Sequence, residues 1–233
     1  MRGCDAAGMA VVRLDKIGKA YGAASAVLSD VSLALDPGDF CFVTGASGAG
    51  KTTLLNIIAL AEEPSSGRLS LFDVDMAAAD RATRSALRRR IGIVFQDLRL
   101  LDDLSAADNI GLPLRVAGVA DAEIRAHVGE LADWLGIGDR LAVHPGALSM
   151  AERQRVAVAR AIVSRPDLLV ADEPMAHVDS ETALMLLHVF DQLNSFGTTV
   201  LIATHDSALA RQSGRTCVRL ERGVLTNDDG MPP

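Results

Sequence analysis

The chain has 233 residues, of which 49% are hydrophobic and 23% charged, and it carries a formal net charge of −7 at pH 7. This length and composition are typical of one large globular domain and exclude a mainly disordered chain. A negative chain gains nothing from counterion release on DNA, so no nucleic-acid partner is expected.

Three cysteines, Cys4, Cys41 and Cys217, lie far apart and lack the spacing of metal ligands, which favours a reducing compartment. The sequence has no uninterrupted apolar stretch of about 18 residues, so we expect no membrane-spanning helix. It also lacks the apolar region of a secretory signal. We therefore expect the chain to stay in the cytosol unless another protein holds it at a membrane.

The first part of the chain predicts strands. Residues 1–8 are mostly small or polar, and we expect them to be a disordered extension or the result of a misassigned start. Residues 10–40 contain strand-like segments with turns at Gly22 and at 36–38. This pattern predicts an antiparallel sheet at one side of the domain.

A glycine-rich loop follows the apolar run at 40–43. It fits the P-loop pattern in full, with the residues Gly45, Ala46, Ser47, Gly48, Ala49, Gly50, Lys51 and Thr52. Thr53 then begins an apolar helical pattern, so the loop joins a strand to a helix N-terminus, where backbone N–H groups bind phosphate. Lys51 is expected to reach the β and γ phosphates, and the Thr52 hydroxyl to ligate Mg²⁺. The alternative is a glycine-rich turn with a chance lysine.

Further apolar runs at 91–95, 168–171 and 200–203 alternate with helical patterns. Continuous apolar runs of this length are typical of parallel strands buried on both faces, and the alternation predicts an α/β fold.

Residues 97–147 interrupt that alternation because they contain no good buried strand. Within them Ile124, Val128, Leu131 and Leu135 share one helical face, and Asp121 is expected to cap the helix start. We therefore predict a helical subdomain at 96–147, inserted into a core formed by residues 10–95 and 148–225.

The apolar run at 168–171 ends in two acids, Asp172 and Glu173. Carboxylates at the C-terminal end of a buried parallel strand lie at the ligand crevice of the sheet. Asp172 is expected to support Mg²⁺, and Glu173 to polarise an attacking water. A solvated acidic turn is the alternative, but the P-loop upstream favours the functional interpretation.

Together with several short segments in matching order, these motifs resemble the ABC-transporter ATPase family over about residues 10–225. The resemblance implies a P-loop NTPase (RecA-like) core with an antiparallel β subdomain, and ATP hydrolysis with Mg²⁺ by a homodimer. It also implies that Lys51, Glu173 and His205 are catalytic. Further nucleotide-binding positions implied by the resemblance are Tyr21 against adenine, Gln96 at the γ-phosphate and Mg²⁺, Ser149, Ala151 and Glu152 in the signature motif, and Asp179 in the D-loop.

Each of these residues also has an ordinary structural alternative. A single tyrosine or glutamine is uninformative, and His205 after a buried strand can be a surface histidine. Ser149 and Glu152 form a plain capping box, which is compatible with anion binding at the helix N-terminus. The functional interpretation therefore depends on all of these residues occurring together in the order of the family motifs.

The signature motif departs from the family pattern, which has two glycines after the serine. Met150 and Ala151 stand at those positions here. Side chains hinder the close approach of backbone N–H groups to the γ-phosphate that glycine allows. We therefore expect ATP binding to persist and dimer closure and turnover to be weakened.

Within the family, the segments 94–101 and 108–114 resemble the FtsE-type cell-division branch, as does an acid, Asp97, directly after Gln96. That resemblance implies a permease-like (FtsX-like) membrane partner at the cytoplasmic face of the inner membrane. ATP-driven motion would then activate cell-wall hydrolases. The docking segment is expected at Asp97–Val116, where apolar side chains either contact the partner or fill the subdomain core, namely Leu98, Leu100, Leu101 and Leu104.

Three other functions stay open. The chain can serve a lipoprotein-release or small-molecule transporter, which differs in cargo and not in chemistry. It can be a nucleotide-gated scaffold with little turnover, which Met150 and Ala151 suggest and Glu173 opposes. A soluble DNA-repair or translation ATPase is the third, although such proteins usually have insertions or tandem domains that exceed this length.

Overall fold

The four apolar runs of the sequence lie in a six-stranded sheet in a computed structural model, which describes residues 10–22 and 26–227. The expectation for residues 1–8 lies outside the described residues. In chain order the strands are β1 (Val12–Lys19), β2 (Leu28–Leu35), β3 (Phe40–Thr44), β4 (Ser66–Leu71), β5 (Val74–Asp75), β6 (Ile91–Val94), β7 (Leu168–Asp172), β8 (Thr199–Thr204), β9 (Thr216–Glu221) and β10 (Val224–Asn227).

The six-stranded sheet has the order β10-β9-β3-β8-β7-β6, and all of its pairs except β10–β9 are parallel. Every residue of β3, β7 and β8 is buried. Leu168 and Val170 face one core cluster while Leu169 and Ala171 face the other. Because both faces are covered, the strands read as continuous apolar runs without alternation. The predicted α/β class with a parallel-sheet core is confirmed.

A second, antiparallel sheet has the order β2-β1-β4-β5. The pairing of β1 with β2, which places Val12 opposite Leu35, confirms the sheet expected at 10–40. The sequence did not predict that β4 and β5 belong to the same sheet. The β1–β4 pairing joins residues 48 to 59 positions apart, with Leu14 opposite Leu69, and no local pattern specifies such a register.

The helices fill both faces of the parallel sheet and the region between β6 and β7. They are α1 (Lys51–Ile58), α2 (Arg81–Arg88), α3 (Ala106–Val116), α4 (Asp121–Trp134), α5 (Met150–Ile162), α6 (Ser180–Ser195) and α7 (Ser207–Gln212). None of the helices in the described part of the chain combines the length and apolar character that crossing a membrane requires.

The region expected to be helical holds α3 and α4. Ile110 of α3 packs with Ile124 and Val128 of α4 in the second core cluster. The predicted cap at Asp121 is wrong: Ala120 occupies the capping position without a side-chain hydrogen bond, and Asp121 is the first helical residue. An acid at the first helical position still interacts favourably with the helix dipole, which explains why an aspartate stands at the start of α4. The division at 96 and 147 stays a prediction.

Candidate active site

The P-loop connects β3 to α1, and its backbone conformation requires glycine at two points. Gly45 has a φ of 158°, and a Cβ there would overlap the backbone oxygen of Leu220. Gly50 is the residue before α1, with a φ of 105°. Its added Cβ would lie 2.9 Å from Leu28 Cδ2. Since side chains at these positions are both strained and crowded, the loop can close over the start of α1 only with glycine.

Lys51 is buried under this loop. Its Nζ donates to the carbonyl oxygens of Gly45 at 2.8 Å and Ala46 at 3.2 Å. The same Nζ lies 3.5 Å from Oε1 of Glu173. The amine is therefore held at the mouth of the loop by groups that an incoming phosphate can replace.

The side chains of Thr52 and Asp172 place oxygen atoms next to each other, and such atoms are suited to ligate a hard metal ion. Thr52 Oγ1 donates to Asp172 Oδ2 at 2.6 Å. Asp172 Oδ1 is buried without a hydrogen-bond partner, and burial raises the pKa of this carboxyl above its ordinary value. A buried carboxylate oxygen that lacks a donor, next to a hydroxyl, fits a Mg²⁺ ion, which prefers oxygen ligands.

Glu173 follows Asp172 at the end of β7 and adopts a φ of 49°, which is strained for a residue other than glycine. Its N–H donates to the carbonyl oxygen of Ala203 in β8, at 2.9 Å. The side chain is only 9% exposed and lies between Lys51 and His205, whose Nδ1 is 2.9 Å from Glu173 Oε2. His205 itself is 64% exposed. The carboxylate is thus fixed on both sides while the imidazole reaches solvent.

Tyr21 lies two residues after the end of β1. Its hydroxyl donates to Glu62 Oε2 at 2.5 Å and lies 3.4 Å from Thr53 Oγ1. Glu62 is held in turn by Asn56 Nδ2 at 3.0 Å and Lys19 Nζ at 3.4 Å. The Tyr21 hydrogen bond is the main cause that lowers the pKa of Glu62. The ring is therefore anchored by its hydroxyl, and Lys19 Nζ lies over the ring at 5.0 Å from its centroid. Tyr21 is still 48% exposed, so part of the ring is available for stacking.

These residues surround one cleft of about 480 Å³. The structure brings together at this cleft Tyr21, Ser47, Gly48, Gly50, Lys51, Thr52, Thr53, Gln96, Asp172, Glu173 and His205. Gln96 is exposed at its edge. His177, which the site prediction omitted, also lines it and has a φ of 62°. A histidine in the left-handed region is uncommon, but the sequence alone gives no sign of that conformation.

Seven predicted site residues are not among those that line this cleft. Three of them, Gly45, Ala46 and Ala49, belong to the P-loop itself, and the other four lie outside it. Ser149 and Glu152 form a capping box at the start of α5, in which Glu152 Oε2 accepts from Ser149 N at 2.8 Å. Arg140 Nε donates to Glu152 Oε1 at 2.7 Å. The Ser149 N–H, then the Ser149 hydroxyl and Arg140, lower the pKa of Glu152 to about 2. Ala151 lies in the first turn of α5.

Asp179 is the fourth. It precedes α6 and accepts from Thr182 N at 2.8 Å, so it caps that helix. The same hydrogen bond lowers the pKa of the Asp179 carboxyl. Within a single chain Ser149, Glu152 and Asp179 stabilise helix ends, and Ala151 is a residue of the first turn of α5.

Comparison with known proteins agrees with this geometry. The family model described as ABC transporter matches residues 28–176. The cell division ATP-binding protein FtsE of Escherichia coli K12 is 39% identical over 221 residues, which cover 94% of this chain and 96% of FtsE. The macrolide export ATP-binding/permease protein MacB of Syntrophobacter fumaroxidans is 42% identical over 88% of this chain. The chain spans only 29% of the length of MacB.

A solved structure is similar along nearly the whole chain. It is the dimeric, post-hydrolysis state of the ATP-binding cassette MJ0796 bound to ADP and Pi. The TM-score is 0.86 at 32% sequence identity, and the match covers 92% of this chain and 96% of the cassette.

Proposed function

Because the chain belongs to the ABC transporter family, we propose that it is the ATP-binding and ATP-hydrolysing subunit of an ABC-type membrane complex. The observation that carries the proposal is the convergence of Lys51, Thr52, Asp172, Glu173 and His205 on one cleft. No structural role requires a buried lysine, a buried carboxylate with one unpartnered oxygen, and a second carboxylate at one point. Phosphoryl transfer to water uses all three.

In the proposed reaction, the P-loop N–H groups and Lys51 bind the β and γ phosphates, and the anchored ring of Tyr21 stacks on adenine. Thr52, Asp172 and Gln96 would hold Mg²⁺, which neutralises phosphate charge when bound. Glu173 accepts a proton from the attacking water, and His205 donates a hydrogen bond to the γ-phosphate. The strained backbone at Glu173 fits this role, since strain of this kind is typical of active sites.

We also propose that two copies close around two ATP molecules. The capping box at Ser149–Glu152 then faces the nucleotide of the opposite copy, where a helix N-terminus favours a γ-phosphate. Ala151 and Asp179 contribute to the same interface. The similar MJ0796 cassette, which is a dimer with ADP and Pi bound, supports this assembly.

The proposed complex is of the FtsE cell-division type, in which an FtsX-like permease at the cytoplasmic face of the inner membrane activates peptidoglycan hydrolysis. The similarity to FtsE over 96% of that protein supports this choice. Within the docking segment Asp97–Val116, Leu98 is buried and Leu100 packs against the second core cluster. Leu101 is 46% exposed, so it is the leucine best placed to contact the partner.

A second candidate is the ATP-binding part of a small-molecule exporter, favoured by the 42% identity to MacB. The two candidates share the chemistry of the cleft and differ in the membrane partner. A scaffold with little turnover is the third candidate, and it is favoured by Met150 and Ala151 in place of glycines.

The first test is phosphate release by the purified chain with Mg²⁺ and ATP. Release that stops in Glu173→Gln supports the ATPase, whereas ATP binding without release supports the scaffold. Absence of ATP binding would overturn both.

The membrane partner is identified by an affinity pull-down. The Glu173→Gln chain with ATP serves as the bait, and detergent-solubilised membranes of the source organism supply the partner. A four-helix protein with a large extracytoplasmic loop supports the cell-division complex, and an exporter permease supports the second candidate. Leu101→Glu should abolish capture. The matched control is Leu184→Glu, because Leu184 is 64% exposed on α6, outside the docking segment.

A further inference from the structure

One arginine joins the loop after Gln96 to the helix that begins with the signature motif. Arg160, near the end of α5, donates from Nη1 to the carbonyl oxygen of Arg99 at 2.6 Å. Its Nη2 donates to the carbonyl oxygen of Leu98 at 2.5 Å. Leu98 and Arg99 lie 62 and 61 positions before Arg160 in the sequence. A planar guanidinium is suited to two neighbouring acceptors, because its donors point in fixed directions.

The two carbonyl groups belong to a strained stretch of backbone. Leu98 has a φ of 58° and Arg99 a φ of 46°, both in the left-handed region. Residues other than glycine persist there only when their surroundings hold them. The Leu98 side chain is buried, and the Arg99 guanidinium lies 4.0 Å from the ring centroid of Phe95. Arg160 is the group that fixes the two peptide oxygens themselves.

The position of this stretch connects two parts of the proposed site. Gln96, two residues before Leu98, lines the nucleotide cleft with Thr52 and Asp172. At the other end, α5 is a continuous helix from Met150, capped by Ser149. Arg160 lies 11 residues after Ser149, which is about 16 Å along a helix. The side chain of Arg160 therefore connects the Gln96 loop to a rigid element whose start carries the signature motif.

We propose that Arg160 is a positioning residue that couples the Gln96 loop to α5, so that nucleotide at Gln96 sets the placement of the Ser149–Glu152 capping box. The inference rests on the proposed ATPase function. Arg160 does not touch the cleft, and its substitution should leave ATP affinity in place while turnover falls. Substitution of a residue with only a structural role would lower stability but would not separate turnover from ATP affinity in this way.

The test compares Arg160→Lys and Arg160→Gln with a matched control, Arg84→Lys. Arg84 also donates to two backbone carbonyl oxygens, of Ala79 at 3.2 Å and Met76 at 2.7 Å, but it lies on α2, outside the cleft. Lysine keeps the charge and loses the two-pronged geometry, while glutamine loses both. All three variants are assayed at a temperature where circular dichroism shows them folded.

Trp134 supplies a second readout. It is the only tryptophan of the chain and lies at the end of α4, 44% exposed. It lines a groove with Ile162 and Val163, which follow Arg160, and with Phe196 after α6. Movement of α5 against α6 changes this environment, so Trp134 emission reports the response of α5 to ATP.

We expect both Arg160 variants to bind ATP within about twofold of the wild type and to lose about tenfold or more in kcat. Their Trp134 emission should no longer respond to ATP, whereas Arg84→Lys should keep both turnover and response. Turnover and response like those of Arg84→Lys would overturn the inference, as would a loss of ATP affinity equal to the loss in turnover. If the wild type binds ATP without hydrolysing it, the ATPase proposal fails separately, and the Trp134 response still decides the role of Arg160.

Discussion

Oε2 of Glu173 and Nδ1 of His205 lie 2.9 Å apart, and the two residues follow the C-terminal ends of neighbouring parallel strands. The pairing of β7 with β8, in which Asp172 lies opposite Ala203, fixes this distance. Two residues 32 positions apart thus meet because of sheet register and not because of a local motif. A carboxylate and an imidazole so placed can divide proton acceptance and phosphate binding between them.

Glu173→Gln should abolish turnover while ATP binding remains. The amide keeps the shape of the side chain but does not accept a proton from water. We expect phosphate release to fall about a hundredfold or more, with ATP affinity within about threefold of the wild type. Glu181→Gln in the first turn of α6 is the control, and equal turnover in the two variants would refute the role of Glu173.

Asp172→Asn should stabilise the nucleotide-free chain. Burial and the nearby charge of Glu173 raise the pKa of Asp172, so its ionised form costs stability above the pH at which the unfolded side chain ionises. The cost vanishes at lower pH, where both states are protonated. At pH 7 we therefore expect a higher Tm for Asp172→Asn than for the wild type.

The same substitution should remove the effect of Mg²⁺ on ATP binding, because the unpaired Oδ1 of Asp172 is lost. Thermal melts at pH 7 and below pH 4, with and without Mg²⁺ and ATP, check both effects. The exposed Asp103→Asn serves as the control. A lower Tm of Asp172→Asn at pH 7 would contradict the burial argument.

Glu62→Gln should weaken the binding of ATP but not of inorganic tripolyphosphate. The Glu62 carboxylate fixes the Tyr21 hydroxyl at 2.5 Å, and an amide holds it less firmly. Loss of such a charge-assisted bond should weaken ATP binding about three- to tenfold. Glu63→Gln is the control, since Glu63 pairs with Arg84 on the outside. Equal weakening for ATP and tripolyphosphate would show that Glu62 does not act through adenine.

The double substitution Met150→Gly and Ala151→Gly should raise turnover. Without side chains, the N–H groups at the start of α5 can approach a γ-phosphate more closely. Glycine also costs a helix up to about 1 kcal/mol per residue, so Ala122→Gly, at the matching position of α4, controls for stability. Steady-state phosphate release by the double variant is compared with that of the wild type, and an unchanged rate would reject the prediction.

Glu152→Gln should lose stability in a pH-dependent manner. The folded pKa of about 2 lies below the ordinary value of 4.5. Ionised Glu152 therefore stabilises the fold fully above pH 4.5, and this contribution is lost as the pH falls towards 2. The Tm difference between wild type and variant should be constant near neutral pH and shrink below pH 4.5.

The control for this prediction is Glu123→Gln. Glu123 occupies the third position of α4, as Glu152 does in α5, but Ala120 does not form a capping box. A Tm difference for Glu152→Gln that stays the same from neutral pH down to acid would contradict the assigned hydrogen bonds.

The sequence predicted the P-loop, the two acids at the end of β7 and the parallel core because each is a local pattern of burial and spacing. Tyr21 and His205 could be assigned to the nucleotide site only because the family motifs occur in the expected order. It did not predict the partners that orient the site, such as Glu62 for Tyr21 or Arg160 for Leu98. These contacts join distant segments, and their geometry depends on sheet register and helix packing, which no window of sequence contains.

The strained backbone at Glu173 has an evolutionary consequence. Glycine at this position would adopt the observed φ of 49° without steric strain. Glu173→Gly would also leave the buried Lys51 amine without its neighbouring carboxylate. A change to glycine therefore exchanges backbone strain for an uncompensated buried charge, so relief of strain alone does not drive the chain towards it.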